Sequence, residues 1–243
     1  MITSIANPRV KEVVALRNAR ERRRGGVFVA EGPREVERAL AAGLLVRRVY
    51  VAPELLPDWP HGGEEVSARV LAKMSYRARP EGVLAVFEVP QRALPAEATL
   101  VLVAVGIEKP GNLGAMARTA DAAGADALLV ADAACDPWNP NAIRASTGAV
   151  FTLPILEATR ADVRALSLQK VAAVVGAPTL HTEADLTPPT ALLIGAEDDG
   201  LDAHWRAAAD VLVTLPMRAR TVDSLNASTA AAVLLYETLR QRD

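Results

Sequence analysis

Five short apolar runs in the second half of the chain limit the folds that this sequence can adopt. Each run is almost entirely apolar and is bounded by glycine, aspartate or proline. The runs cover residues 100–106, 127–131, 171–175, 191–195 and 211–215. Such runs are typical of parallel strands that helices cover on both faces. Stretches with helical spacing lie between and after them, at residues 113–123, 161–168, 203–208 and 226–240. The sequence therefore predicts an α/β domain with a mostly parallel sheet, in which ligands bind beyond the carboxyl ends of the strands.

The first part of the chain also alternates, with shorter elements. Residues 9–24 have the apolar spacing of one helix, with Pro8 before it and two glycines after it. Strands are predicted at residues 27–32, 44–52 and 83–89, and helices from Pro33 and over residues 67–73. Residues 90–98 hold two prolines and no apolar period, so we place a domain boundary there. The predicted domains are residues 1–92, a small α/β domain, and residues 93–243.

The charge of the chain is divided unevenly between these domains. The net charge is −2, which argues weakly against a nucleic-acid partner. However, residues 1–92 carry 16 Lys and Arg against 11 Asp and Glu, whereas residues 93–243 carry 11 against 18. Any single arginine is most simply a solvated surface residue, but the clustering favours attraction of a polyanion to the first domain.

Several classes of protein are not expected. No run approaches the roughly 18–20 apolar residues of a membrane span, and the first residues lack the apolar core of a signal peptide. The single cysteine, Cys135, excludes an internal disulfide and fits a reducing cytoplasm. His61, His181 and His204 are scattered without companions at ligand spacing, so we expect no metal site.

Three segments that follow predicted strands could carry chemistry. In the first, residues 106–124, Asn112 is placed to cap a helix from which Arg118 projects in the second turn, and glycines beside Asn112 allow a tight approach to a phosphate. An ordinary strand–turn–helix joint with a surface arginine explains this segment equally well. The absence of a G-x-G-x-x-G pattern speaks against a nicotinamide cofactor. In the second, residues 192–201, two glycines flank an acidic loop that includes Glu197. In the third, residues 215–237, Ser224 and Asn226 precede an alanine-rich helix, where simple helix capping is the alternative.

Taken together, these segments resemble the three motifs of the SpoU/TrmH family of RNA ribose methyltransferases, within the SPOUT class. The first motif matches Asn112, Gly114 and Arg118; the second matches Gly195, Glu197, Gly200 and Leu201; the third matches Pro216, Met217, Ser224, Leu225, Asn226, Ser228 and Ala230. Residues 143–155 are similar to a further family segment through Arg144, Ser146, Gly148 and Pro154. Residues 28–43 resemble the small substrate-binding domain of several ribosomal-RNA members, which is akin to certain RNA-binding ribosomal proteins.

The resemblance implies transfer of a methyl group from S-adenosyl-L-methionine to a ribose 2′-hydroxyl, a homodimer with active sites at its interface, and a C-terminal trefoil knot, which is a rare exception to unthreaded topology. It implies catalytic roles for Arg118, Asn112, Glu197, Ser224 and Asn226. It implies cofactor contacts from Ile194, Gly195, Ala196, Gly200, Leu215, Pro216, Met217, Leu225 and Ala227. We expect RNA contacts from Arg9, Arg20, Arg22, Arg23, Arg24, Arg34 and Arg144.

The expected substrate is 23S ribosomal RNA, favoured over transfer RNA only by analogy with members that carry a similar first domain. A transfer-RNA methyltransferase and a non-catalytic RNA-binding or assembly factor of the same fold remain alternatives. A nucleotide-dependent α/β enzyme acting on small molecules is a weaker one, because the chain lacks nucleotide-binding glycine motifs.

Overall fold

The computed structural model describes residues 1–218, 221 and 223–243. Up to residue 91 the elements are α1 (Pro8–Ala15), α2 (Ala19–Gly25), β1 (Val27–Glu31), α3 (Pro33–Ala41), β2 (Val46–Val51), β3 (Glu64–Glu65), α4 (Ala68–Met74) and β4 (Val83–Glu88). The elements that follow are β5 (Leu100–Val105), α5 (Pro110–Ala122), β6 (Ala127–Ala131), α6 (Pro140–Ser146), a 3₁₀ turn (Ala149–Phe151), β7 (Ile155–Ala158), α7 (Arg160–Ala165), β8 (Gln169–Ala173), β9 (Thr179–Leu180), β10 (Thr190–Ile194), α8 (Ala203–Arg206), β11 (Val211–Thr214) and α9 (Ala227–Arg242).

The chain forms two compact units. The first comprises Met1–Gln91 together with Trp138–Phe151, and the second comprises Arg92–Pro137 and Thr152–Asp243. Within the described part of the chain, no helix is both long enough and apolar enough to span a bilayer.

The first unit is built on a four-stranded sheet of order β1-β4-β2-β3, in which β4 pairs antiparallel with β1 and β2. Val10 and Val13 of α1 pack with Val70 and Leu71 of α4 in its core. The prediction of a single helix over residues 9–24 is wrong, because the structure has two helices there, α1 and α2. The chain leaves the helix at Leu16, and the side chain of Asn18 accepts a hydrogen bond from the backbone amide of Arg20, which starts α2.

The segment Trp138–Phe151, which the sequence placed in the second domain, packs in the first unit. The ring of Phe28 on β1 stacks on Trp138 with 4.7 Å between centroids, and on Phe151 with 5.7 Å. The guanidinium of Arg38 donates a hydrogen bond to a backbone carbonyl of the same segment. The sequence could not anticipate this packing, because it depends on contacts between residues that lie more than a hundred positions apart.

The second unit contains the predicted parallel sheet. Among the described residues, seven strands form it in the order β7-β6-β5-β10-β8-β11-β9, and every pair is parallel. The five apolar runs became β5, β6, β8, β10 and β11, and β5, β6 and β10 are buried along their whole length. This confirms the α/β fold class. The knot stays a prediction, because residues 219, 220 and 222 lie outside the described part of the chain.

Candidate active site

The predicted site loops meet at the carboxyl ends of β8, β10 and β11. They surround a cleft of about 300 Å³, which is walled by the ends of these strands, the loop after β10 and the start of α9. Mixed apolar and polar walls of this kind, and a volume at the lower end of the range for ligand pockets, are typical of small-molecule sites. The cleft lies where an open parallel sheet is expected to bind its ligand.

The loop after β10 folds tightly on itself. A Cβ atom at Gly195 would lie 2.3 Å from the backbone carbon of Gly200, so only glycine fits there. Gly200 itself has a φ of +63° and donates its amide to the carbonyl of Ala196 at 3.1 Å. The closed loop therefore presents backbone and the short side chain of Ala196 to the cleft, next to the acidic residues Glu197, Asp198 and Asp199, which also line it.

Most residues expected to hold the cofactor line this cleft. Those that do are Ile194, Gly195, Ala196, Gly200, Leu215, Met217, Leu225 and Ala227, and two residues expected to be catalytic, Glu197 and Ser224, line it as well. Pro216 is not among the lining residues. Sequence reasoning missed the last residue of β8 with the two residues after it, residues 173–175, and Arg206, which also line the cleft. Their apolar or isolated character gave no signal in the sequence.

A hydrogen-bond network joins the three motifs beside the cleft. Oε1 of Glu197 accepts a hydrogen bond from Nδ2 of Asn112 at 2.9 Å and another from Nδ2 of Asn226. Nδ2 of Asn226 also donates to Oδ1 of Asn112 at 3.1 Å. The structure thus brings together three of the five residues expected to be catalytic.

A fourth residue of this network, Lys109, was not predicted. Its Nζ forms an ion pair and a hydrogen bond with Oε2 of Glu197. Lys109 first, and then Asn112 and the backbone of residue 227, hold the pKa of Glu197 below its ordinary value, while partial burial opposes this shift. The same contact raises the pKa of Lys109. Glu197 is therefore a carboxylate that accepts hydrogen bonds and is a poor proton acceptor.

Of the two asparagines expected near helix starts at this site, Asn226 caps its helix and Asn112 does not. Helix α5 begins at Pro110, so Asn112 lies in its first turn, and its amide is free to reach Glu197. Helix α9 is capped by Asn226, whose Oδ1 accepts hydrogen bonds from the amides of residues 228 and 229, so the capping role that was the alternative for this residue is present. Asn226 thus caps a helix with one side-chain atom and binds its site partners with the other.

Arg118 and Ser224 lie outside the network. Arg118 is exposed, and it makes no hydrogen bond or ion pair with any residue that the structure describes. Its position in the third turn of α5, six residues after Asn112, places it about 9 Å further along the axis and on another face. Ser224 is exposed and lines the cleft. Across the described residues, no three His, Cys, Asp or Glu side chains lie close enough to hold a metal ion.

The arginines expected to bind RNA differ in their surroundings. Arg20 and Arg34 are exposed and unpaired among the described residues, while Arg9 and Arg24 are paired with Glu64 and Glu21. Arg23 and Arg144 are exposed as well.

The expectation for Arg22 is wrong, because its side chain is only 2% exposed. Its guanidinium donates to the carbonyls of Leu16 at 2.6 Å and Arg17 at 3.0 Å. These bonds close the junction between α1 and α2 and leave the guanidinium unavailable to a phosphate.

Comparison with known proteins connects this site to a family. Residues 99–236 match the family model described as the SpoU rRNA Methylase family, and residues 7–85 match that of the MRM3-like substrate binding domain. The 23S rRNA (guanosine(2553)-2′-O)-methyltransferase RlmP of Bacillus subtilis (strain 168) is 31% identical over 250 residues, which are 97% of this chain and 97% of the relative.

Solved structures agree over the whole chain. A crystal structure of an RNA 2′-O ribose methyltransferase has 44% sequence identity and a TM-score of 0.85, covering 99% of this chain and 98% of that one. An AdoMet-bound rRNA methyltransferase from Sinorhizobium meliloti has 31% identity and a TM-score of 0.87, covering 98% and 97%. The match of the family model to more than half of the chain and these full-length relatives confirm the family that the motifs predicted: the chain belongs to the SpoU rRNA methylase family.

Proposed function

We propose that this protein transfers a methyl group from S-adenosyl-L-methionine to a ribose 2′-hydroxyl of 23S ribosomal RNA. The observation that carries the proposal is the network in which Glu197 holds Asn112 and Asn226 at the edge of a cleft walled by backbone loops. Full-length relatives named as 23S rRNA 2′-O-methyltransferases support the substrate.

The cleft fits S-adenosyl-L-methionine. The loop from Gly195 to Gly200 closes so tightly that it admits no side chain at its first position, which leaves the backbone there to face a flat ligand beside the acidic residues of the loop. Ile194, Leu215 and Met217 supply apolar walls. When bound, the cofactor supplies an electrophilic methyl group on a positively charged sulfur.

The residues of the network orient the ribose. Glu197 stays ionised, because Lys109 and two amides stabilise its charge, and it fixes the rotamers of Asn112 and Asn226. Holding the 2′-oxygen in line with the methyl group is a large part of catalysis in such a transfer. Arg118 makes no hydrogen bond or ion pair with the described residues, so its planar fork of donors is available to the target phosphate and to the developing charge on the 2′-oxygen.

Transfer of a tritiated methyl group to ribosomal RNA tests the function. The wild-type chain should label 23S rRNA that lacks the modification, and reverse transcription at low nucleotide concentration should map one stop to a 2′-O-methyl group. An Arg118→Ala variant should lose at least 100-fold in turnover, and Arg118→Lys should not restore it, since lysine lacks the fork. Arg164, which is also exposed and unpaired among the described residues of the second unit, gives the matched control Arg164→Ala. Labelling of transfer RNA but not of ribosomal RNA would overturn the substrate, and absence of labelling in both RNAs would leave an RNA-binding role without catalysis.

The same proposal includes a homodimer. Helix α9 is buried on one side, yet Val233 is 36% exposed and Tyr236 is 50% exposed, and their spacing places them on one face. Together with Arg118, which does not reach the network of its own chain, this apolar face favours an active site completed by a second copy. The ribosomal substrate would place the dimer in the cytoplasm.

The first unit is proposed to hold the RNA, with phosphate contacts from Arg9, Arg20, Arg23, Arg24, Arg34 and Arg144. Its match to a substrate-binding family model and its exposed arginines support this division of roles.

A further inference from the structure

We infer that Tyr76 is a stacking platform for an unpaired base of the RNA, and that Arg144 binds the adjoining phosphate. The inference rests on the proposed function in one respect, that RNA is the substrate. It adds a site and the kind of nucleotide that the site takes.

The ring of Tyr76 faces solvent in a unit where other aromatic rings are largely buried. Tyr76 is 41% exposed, whereas Tyr50, Phe28 and Phe87 are fully buried in the same unit. Its hydroxyl makes no hydrogen bond with any residue that the structure describes. A ring this exposed buries less apolar surface than the core rings do, and stacking on bases is a common use of exposed aromatic rings in proteins that bind single-stranded RNA.

The backbone beneath this ring is held firmly. The buried carboxylate of Glu31 accepts hydrogen bonds from the backbone amides of Tyr76 at 2.5 Å and Arg77 at 3.1 Å. The same loop ends at Gly82, where a φ of +91° and a Cβ position 2.3 Å from Leu56 admit only glycine. A ring presented on a fixed backbone loses little entropy when it binds a base.

The charges around the ring suit a nucleotide. Tyr76 and Arg144 line the same shallow depression of the first unit, together with Asn141, whose Oδ1 accepts from Nη2 of Arg144 at 2.9 Å. The neighbouring carboxylates are used internally, because Glu35 and Glu81 both pair with Arg77. Arg144 itself pairs with no carboxylate among the described residues and is exposed, so its charge is available to a phosphate.

The platform is continuous with the basic helix α2. Arg17 donates to the carbonyl of Ser75, the residue before Tyr76, at 2.5 Å, and Arg22 of α2 donates to the carbonyl of Arg17. These bonds tie the start of α2, where Arg20 is exposed, to the loop that carries the ring. A strand of RNA whose phosphates follow α2 would therefore reach Tyr76 and then Arg144.

Binding of a labelled 12-nucleotide single-stranded RNA of mixed sequence, followed by fluorescence anisotropy, tests the inference. Tyr76→Ala should weaken binding about 5- to 100-fold, while Tyr76→Phe, which keeps the ring, should bind like the wild-type chain. A 12-base-pair RNA duplex, whose bases are already stacked, should bind equally to all three. Trp59→Ala gives the matched control, since Trp59 is an aromatic residue of the same unit that does not line the depression.

A second readout is independent of affinity. The same RNA with 5-iodouridine should cross-link on irradiation to a peptide that contains Tyr76, as identified by mass spectrometry, and the cross-link should disappear in Tyr76→Ala. Equal binding of the single strand by Tyr76→Ala and wild type, or a parallel loss with the duplex, would overturn the inference. If the wild-type chain methylates rRNA while Tyr76→Ala binds normally, only this inference fails; if Tyr76 governs binding while no methyl group is transferred, only the proposed function fails.

Discussion

Asn226 donates its side-chain amide to Oδ1 of Asn112 at 3.1 Å, although 114 positions separate the two residues in the sequence. The contact joins the cap of α9 to the first turn of α5, two helices that pack against each other. Because both amides also bind Glu197, each asparagine has a fixed orientation that neither helix alone would impose.

The double use of Asn226 allows its capping role to be separated from its role in the site. Serine also caps helices well, but it has no side-chain amide that could donate to Asn112 and Glu197. We expect Asn226→Ser to unfold at nearly the wild-type temperature and to lose at least 10-fold in kcat. Asn226→Ala should lose the activity and also about 1 kcal/mol of stability, because the amides at the start of α9 lose their acceptor. Thermal unfolding and methyl-transfer rates measure the two effects. Wild-type turnover in the serine variant would show that Asn226 serves only as a helix cap.

The proposed dimer predicts that two inactive chains complement each other. Arg118→Ala and Glu197→Gln should each be inactive as homodimers, since each removes one half of the site. When they are unfolded together and refolded as an equal mixture, half of the dimers should be mixed. Each mixed dimer would carry one intact site, so roughly a quarter of wild-type activity should return if the site combines Arg118 of one chain with Glu197 of the other. A mixture as inactive as its components would place both groups in one chain.

The loop after β10 predicts a specific cofactor defect. Gly195→Ala places a methyl group 2.3 Å from the backbone of Gly200, so the loop must open. We expect the Kd for S-adenosyl-L-methionine, measured by calorimetry, to rise at least 10-fold. Gly111→Ala is the control, because a Cβ at Gly111 meets nothing within 4 Å. Equal affinities for the two variants would show that the closed loop is dispensable for binding.

The end of α9 predicts a pH-dependent contribution to stability. Arg240 donates two hydrogen bonds to Glu237, and together with Gln241 it lowers the pKa of Glu237 to about 2. A depressed carboxylate pKa contributes stability above the unfolded value of 4.5, and this contribution is lost as pH falls towards about 2. Glu237→Gln should therefore lower the free energy of unfolding by roughly 1 kcal/mol near neutral pH, with the difference shrinking below about pH 4. Urea unfolding across this pH range measures it, with Glu97→Gln as an exposed control; a difference that is constant with pH would exclude the charge as its source.

The sequence predicted the strands and the site residues to different depths. The apolar runs identify β5, β6 and β10, because a strand that is buried on both faces is apolar at successive positions. The motif residues Asn112, Glu197 and Asn226 were also expected to share a site, and they form one hydrogen-bond network. Lys109 was missed because its partner, Glu197, lies 88 positions away, and no local pattern encodes such a pair. The helix break at Asn18 was missed because no glycine or proline marks it before Gly25, and only the capping bond of its side chain starts a new helix there.

Substitution of Arg20 and of Arg22, both on α2, should have opposite effects on RNA binding and on stability. Arg20 is exposed and unpaired among the described residues, so Arg20→Ala should leave the unfolding temperature unchanged, weaken RNA binding, and reduce the slope of log K against log salt by about 1. Arg22 is buried and satisfies the carbonyls of Leu16 and Arg17, so Arg22→Ala should cost roughly 2–4 kcal/mol of stability. Among molecules that remain folded, it should leave the salt slope unchanged. Chemical unfolding and RNA titrations at several salt concentrations distinguish the two. A lower salt slope for Arg22→Ala at full stability would mean that its guanidinium reaches the RNA after all.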